Sequence, residues 1–591
     1  MTAPQDIFAA LRARAVSALS EMLPDLPPDA FARVQMEPPR DPSHGDMATN
    51  AAMVVAKAAR KPPREVAAAL AERLSALPEV AEAAPAGPGF VNLRLREDFL
   101  RAQLPAILRA GGSYGDSRLG AARRVDVEYV SANPTGPMHV GHCRGAVVGD
   151  ALANLLTKAG WDVTKEYYVN DAGAQVQALA YAAYWRYLQA LGTTMTEAEY
   201  AATAPGGLQY GGDYLVPVGE ALRERHGDAL AAPGARPADP ALWLDTVRDA
   251  TVDLMMASIR DDLAALGVSF DVFVSERALI AAGKLEQAEA LLASKSLIYH
   301  GVLEPPKGKT PDDWEPREQE LFRATQFGDE VDRPLRKSDG TGTYFANDIA
   351  NHLGKLERGF AELVHVWGAD HGGYVKRMKA AVAALSDGKV PFNIVLTQIV
   401  RVVKNGEPVR MSKRAGTYVA LRDLIDEVGK DAVRFTMLTR KADAQMEFDL
   451  DKVVEQSRDN PVFYVQYAHA RCRSVLRAAE DPSAADLAAA PLDSLADPAE
   501  LALIRRLCAW PRTVEAAAEA REPHRIAFFL HDLAADFHIL WNKGREDATL
   551  RFIQGDEPEA TRGRLALVAA TAAVIRSGLA VMGVAPAEEM R

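Results

Sequence analysis

The chain has 591 residues, 48% hydrophobic and 25% charged, which is ordinary for a globular protein of several domains. A formal net charge of −12 argues against a general nucleic-acid binder, yet it suits an RNA enzyme with local basic surface, because overall negative charge suppresses non-specific RNA binding. Three scattered cysteines exclude a disulfide framework, no apolar run approaches the ~18 residues of a membrane span, and the start of the chain, with acidic Asp6, lacks signal-peptide character; a cytoplasmic protein with no membrane partner is expected.

Residues 1–110 read as a separate α+β module. Periodicity predicts helices over 7–19, 46–59 and 64–77, with Pro62-Pro63 and Gly87-Pro88-Gly89 as breaks and a strand over 90–95. No catalytic constellation is visible there, and residues 111–115 read as a linker. A larger domain follows over 120–455. Val125, Val127, Tyr129 and Val130 make a strand, and Asn133, Pro134, Gly136 and Pro137 make a turn. Val147, Val148, Ala151, Leu152, Leu155 and Leu156 then share one face of a helix that Gly160 ends, and a second strand covers 162–169.

Strand, loop, helix and strand form one βαβ unit, and a helix start after a strand is a phosphate site. His139 and His142 stand at that junction with Gly141 between them, whose missing Cβ lets a nucleotide approach the backbone. A zinc site on these histidines and Cys143 is the weaker reading, because no CxxC or HExxH accompanies them.

Residues 195–340 read as an insertion, interrupted at 205–212 and 236–240, with a long helix over 241–266 and a polar loop over 305–317. Tyr344 and Asp348 are four residues apart, so a helix starting there puts them on one face. A buried-strand run over 362–367 ends in Gly368-Ala369-Asp370-His371, and a helix over 374–385 follows. Strand, polar turn and helix is the arrangement that binds ligands at the carboxyl ends of parallel strands. One strand is expected over 391–403, then a turn at 404–406, the basic stretch RMSKRAG, and a helix with Leu421, Leu424, Ile425 and Val428 on one face. From about 453 onward no strand candidate remains, and 456–591 reads as an all-helical domain.

Two stretches carry a resemblance. SANPTGPMHVGH, ending at His142, resembles the HIGH signature of class I aminoacyl-tRNA synthetases, and Val409-Arg410-Met411-Ser412-Lys413-Arg414 resembles their KMSKS signature, with Arg410 in place of the first lysine. YVNDAG at 168–173, DAVR at 431–434 and NPVFYVQYAHAR at 460–471 are similar to arginyl-tRNA synthetases of the bacterial type. The resemblance spans essentially the whole chain. It implies an α/β fold: a Rossmann-like catalytic domain with an insertion and an MSKR loop at 410–414, an N-terminal α+β module that contacts tRNA, and an all-α DALR-type anticodon-binding domain. The implied activity is that of an arginine–tRNA ligase. Such an enzyme joins L-arginine to ATP as arginyl-adenylate, releases diphosphate, then transfers arginine to the 3′-terminal ribose of tRNA(Arg), leaving AMP. The family generally requires tRNA for the first step.

The resemblance assigns His139, Gly141, His142, Asp370, His371, Met411, Ser412 and Lys413 to ATP, with His139, His142 and Lys413 as the catalytic groups. It assigns Glu128, Asn133, Tyr344 and Asp348 to arginine, and Met590 to the anticodon loop; Trp541 is a candidate for base stacking. ATP is expected with Mg²⁺, without a structural metal; the partners are tRNA(Arg), L-arginine and ATP, without DNA, and a monomer is expected. The chemistry asks for positioning and charge neutralisation rather than a protein nucleophile, because the amino acid's own carboxylate attacks the α-phosphate. Small adenylyltransferases share the histidine site but are far shorter; a synthetase for another amino acid and a non-catalytic RNA-binding descendant are the remaining alternatives.

Overall fold

The computed structural model describes residues 6–39, 41–303, 317–409, 419–457 and 459–590. The chain divides into two compact units, one of Ala121–Ala153 with Trp161–Val454, the other of Met1–Gly120, Asn154–Gly160 and Glu455–Arg591.

The first unit is built on five parallel strands: β1 (Arg124–Glu128), β2 (Asp162–Val169), β3 (Val272–Ser275), β4 (Glu362–Gly368) and β5 (Phe392–Thr397). Their spatial order is β5-β4-β1-β2-β3. Helix α1 (Val140–Lys158) connects β1 to β2, α2 (Tyr344–Glu357) precedes β4, and α3 (Val375–Ser386) connects β4 to β5. Val125, Val127, Leu363 and Val364 are fully buried, as a sheet covered on both faces requires. Helix α1 approaches the sheet closely because Gly149 has no side chain: a Cβ there would lie 2.3 Å from the Tyr129 ring. The chain runs outward from β1 through β3 and resumes on the other side of β1 with β4. That reversal makes the β1/β4 boundary the switch point, where such sheets bind ligands.

Three local expectations need correction. Strand β3 lies inside the stretch read as an insertion; it is only four residues long and half-buried at the sheet edge, so the 236–240 break and the long helix before it mask its signal. The strand expected over 391–403 is two strands. Phe392–Thr397 belongs to the main sheet, whereas Val400–Lys404 pairs with Glu407–Pro408 and Met446–Asp449 in a separate three-stranded sheet. The helix expected over 46–59 begins only at Ala51, because Met47–Thr49 is a strand. Elsewhere in this unit an aromatic cluster holds the helices Ala174–Ala190 and Pro240–Ala265 together, with Tyr184 stacked on Trp243 at 3.7 Å.

In the second unit the N-terminal strands form a four-stranded sheet that includes Phe90–Leu95. The described residues after Glu455 form helices and no strand. The N-terminal module and these helices cluster as one body rather than two. Trp510 Nε1 donates to the Tyr114 carbonyl at 3.0 Å, and Arg505 and Arg512 pair with Asp46 at 2.5 Å and Glu37 at 2.6 Å. Helix Pro558–Met582 is long and apolar enough to cross a membrane by composition alone, which the reading of the sequence overlooked; 78% of its most apolar window is buried in the unit, as in a core helix.

Candidate active site

A cavity of about 1010 Å³ opens at the switch point, lined from the carboxyl ends of all five strands. One wall is the start of α1. His139 and His142 stack there with centroids 3.9 Å apart. Gly141 N–H donates to His139 Nδ1 at 3.1 Å, and His139 N–H to His142 Nδ1 at 3.3 Å. Each Nδ1 thus accepts a main-chain N–H, so a neutral imidazole at either position carries its proton on Nε2. Gly141 is required by the same packing: a Cβ there would lie 2.8 Å from His139 Cε1.

The opposite wall is acidic and aromatic. Thr343 caps α2 through Ala346 N–H, and the first turns of that helix present Tyr344, Asn347 and Asp348 to the cavity. Tyr344 is 60% exposed. Tyr374 Oη donates to Asp348 Oδ2 at 2.5 Å. Burial pushes the Asp348 carboxyl up to about 7, Glu128 and Glu276 add to this, and the Tyr374 hydrogen bond and Arg377 oppose it. Glu276 follows β3; it accepts from Asn347 Nδ2 at 2.6 Å, and burial raises its carboxyl too. Neither Asp348 nor Glu276 forms an ion pair among the described residues.

The structure therefore brings together His139, Gly141, His142, Asn133, Tyr344, Asp348, Asp370 and His371. Asn133 is exposed and bonds Gln175 at 2.9 Å. Asp370 and His371 are exposed at the end of β4, His371 Nε2 being 3.7 Å from Asp370 Oδ2. Glu128 lies behind the lining rather than in it, 7% exposed. Met411, Ser412 and Lys413 lie outside the described residues, and Trp541 and Met590 belong to the other unit. Reading the sequence missed Tyr168, Glu276, Asn347, Tyr374 and Arg377. A signal existed for Glu276: the β-rich run 270–274 is followed by Ser275, which caps the next helix through Ala278 N–H. Among the described residues no group of three or more His, Cys, Asp or Glu is arranged to hold a metal ion.

Behind the cavity, Lys355 is fully buried, with Nζ 2.5 Å from Asp126, 2.6 Å from Glu166 and 2.9 Å from Glu128. Its pKa is raised by these carboxylates against the cost of burial. Arg358 also bonds Glu166. Burial lowers His352 to about 4 and holds His365 well below the usual histidine value, so both stay neutral. Arg144, one turn into α1 and equally buried, donates to three carbonyls: Gln398 at 3.2 Å, Lys441 at 2.8 Å and Ala444 at 2.6 Å.

A parallel sheet in this order, with paired histidines at the first helix start and an acidic wall opposite, defines a class I aminoacyl-tRNA synthetase catalytic unit. Family comparisons agree along the chain: the arginyl-tRNA synthetase N-terminal domain matches residues 9–95, the class I (R) catalytic domain 103–196, the class I (I, L, M and V) family 346–450, and the DALR anticodon-binding domain 465–590. Arginine–tRNA ligase from Gluconobacter oxydans is 61% identical over 99% of this chain and 98% of that protein; the enzyme from a Cereibacter sphaeroides strain is 57% identical over 99% and 100%. Thermus thermophilus arginyl-tRNA synthetase superposes with a TM-score of 0.72 at 25% identity, covering 99% of this chain and all of that one. The chain belongs to the arginine–tRNA ligases, which use ATP, arginine and tRNA(Arg) as substrates.

Proposed function

We propose that the switch-point cavity holds ATP against the α1 wall and arginine against the α2 wall. The observation that carries this reading is a pair of carboxylates on one wall, half-buried Asp348 and buried Glu276, with no ion pair among the described residues. A guanidinium is the planar cation that suits such a wall, and Tyr168, Tyr344 and Asn347 beside it supply ring faces and an amide. Asn133, at the end of β1, and Glu128 behind it are placed to orient the backbone end of the amino acid.

The arginine carboxylate oxygen then attacks the α-phosphorus, the bond to the β-phosphate oxygen breaks, and diphosphate leaves. His139 and His142 donate to phosphate oxygens at the positive end of the α1 dipole. Lys413 of the RMSKRAG stretch neutralises the departing diphosphate, with Met411 and Ser412 shaping its loop; Asp370 and His371 contact ATP from the end of β4. Mg²⁺ arrives with ATP as counter-ion to its phosphates. A ribose hydroxyl of the tRNA terminus next attacks the arginyl carbonyl and releases AMP.

The anticodon is read by the helices after Glu455. Trp541 lines a cavity of about 530 Å³ with Phe552, Ile553, Arg545 and Arg551, a mixture of rings and cations that suits an unstacked base. Met590 is half-buried near the end of the same unit. In the N-terminal module, Phe90 and Asn92 line a separate cavity of about 720 Å³ that could take tRNA elsewhere. The three cysteines are buried and unpaired, which suits a reducing cytoplasm, and the enzyme acts there as a monomer. The test is ATP–diphosphate exchange with tRNA present and each of the twenty amino acids in turn. Arginine alone should support it, and exchange driven by another amino acid in its place overturns the reading.

A further inference from the structure

We propose that Tyr374 is a positioning residue for arginine selection: its phenol orients the Asp348 carboxylate and holds it in the ionised form that a guanidinium needs. This rests on the assignment of Asp348 to the arginine site. Tyr374 sits between β4 and α3, on an element separate from α2, and reaches across the cavity to Asp348.

The geometry divides the work between the two carboxylate oxygens. Oδ2 accepts the Tyr374 hydroxyl at 2.5 Å, whereas Oδ1 accepts no hydrogen bond among the described residues. A side chain with one oxygen held and one open presents a fixed direction to an incoming N–H donor. The tyrosine ring is itself braced: the Arg377 guanidinium lies 5.0 Å from its centroid, and Phe345 meets it edge-on at 6.5 Å.

The electrostatics ask for such a donor. Asp348 faces Glu128 from β1, Tyr168 from β2, Glu276 from the start of the helix after β3 and Arg377 from α3, with His352 one turn along its own helix. Two of these are carboxylates, His352 is neutral, and Arg377 is the cation whose charge favours ionisation. Burial is the largest influence and acts toward protonation; the Tyr374 hydrogen bond is the largest opposing one. A protonated Asp348 would offer arginine neither charge nor a full set of acceptors, so the phenol sets the pH below which arginine is lost.

The test compares wild type, Tyr374→Phe and Asp348→Asn in ATP–diphosphate exchange with tRNA present, from pH 5.5 to 9. In the wild type, kcat/KM for arginine should fall below about pH 7, because this parameter follows the free enzyme and the proton competes with the guanidinium. Removing one hydrogen bond to a charged group should raise the arginine KM about ten- to a hundredfold near neutrality. It should also move the acid limb about one to two pH units upward, with the KM for ATP unchanged. An arginine KM and acid limb that stay at wild-type values in folded Tyr374→Phe, while Asp348→Asn raises the KM, would overturn the proposal and leave the site assignment standing. Equal rises in both substrates' KM would make Tyr374 merely structural and also overturn it. If Asp348→Asn itself leaves the arginine KM untouched, the assignment of the site fails first.

Discussion

His139 and Ala420 face each other across an isolated antiparallel bridge. Val140 N–H donates to Val419 O at 3.1 Å and Leu421 N–H to Met138 O at 3.0 Å. The bridge ties the first histidine of the nucleotide wall to the segment that follows RMSKRAG in the chain. From the same helix, Arg144 grips Gln398, two residues before strand Val400–Lys404, and Lys441 and Ala444, just before strand Met446–Asp449. The first signature and residues 419–421 are thus held in one frame by main-chain hydrogen bonds, with one buried guanidinium beside them.

Lys413 is the cation that the proposed reaction assigns to the departing diphosphate. Removing a group that stabilises charge in the transition state costs about 10²–10³ in rate. Lys413→Ala should lower the rate of adenylate formation by that factor, with arginine binding little changed. Pre-steady-state measurement of AMP-linked product at saturating ATP reads this directly, and near-normal turnover would remove Lys413 from the mechanism.

Asp348→Asn keeps the shape of the side chain and deletes its charge. A buried cation left without its partner costs about 3–5 kcal/mol. The arginine KM should therefore rise by about two to nearly four orders of magnitude, while the KM for ATP moves little. Isothermal titration with arginine alone gives an independent reading of the same loss.

The buried cluster behind the cavity makes a prediction about stability. Lys355→Met strands Asp126, Glu128 and Glu166 with Arg358 as their remaining bonded cation, a change worth about 3–5 kcal/mol. The pH dependence has a definite sign. Asp126 is already pushed up from 3.8 to about 7 by burial, so its proton uptake stabilises the fold at low pH and that contribution is lost as pH rises through 7. Without Lys355, Asp126 holds its proton more tightly still, and Glu166 loses a cation that holds its pKa down. The deficit in urea denaturation should be largest at pH 8 and shrink toward pH 5; a deficit independent of pH would mean that lost packing, not charge, is the cause.

Much of this was legible in the chain. The β1–α1–β2 unit, the shared face of Tyr344 and Asp348, and the buried stripe Leu421, Leu424, Ile425 and Val428 all follow from local periodicity, whereas the two histidines were singled out by the resemblance to the HIGH signature. Strand β3 was passed over, because four half-buried residues at a sheet edge carry little alternation, and Glu276 was lost with it although the run 270–274 and the Ser275 cap mark its place. Tyr374 and Asn347 could not be found by spacing, since each acquires its role from a partner on another element. Lys355 is hidden for a related reason: on a helix, a lysine reads as solvent-facing, and only the three carboxylates on β1 and β2 justify its burial.

The last prediction concerns coupling between the substrates. The RMSKRAG stretch leads directly into helix Leu421–Val428, then helix Lys430–Met437, and from there into the helices after Glu455 that the DALR family match assigns to the anticodon. A tRNA held by those helices can bias the position of Lys413, provided it binds the productive state more tightly than the unproductive one. A difference of about 2–3 kcal/mol suffices to make activation appear tRNA-dependent. ATP–diphosphate exchange with arginine should then fall by about 30- to 150-fold when tRNA is left out. It should return when tRNA(Arg) with an oxidised terminal ribose is added, since that molecule can order the site but cannot accept the amino acid. A counter-argument lies in the His139–Ala420 bridge, which already fixes one flank of the second signature without tRNA. If that bridge is enough, exchange rates with and without the oxidised tRNA will be equal, and the site is complete before tRNA arrives.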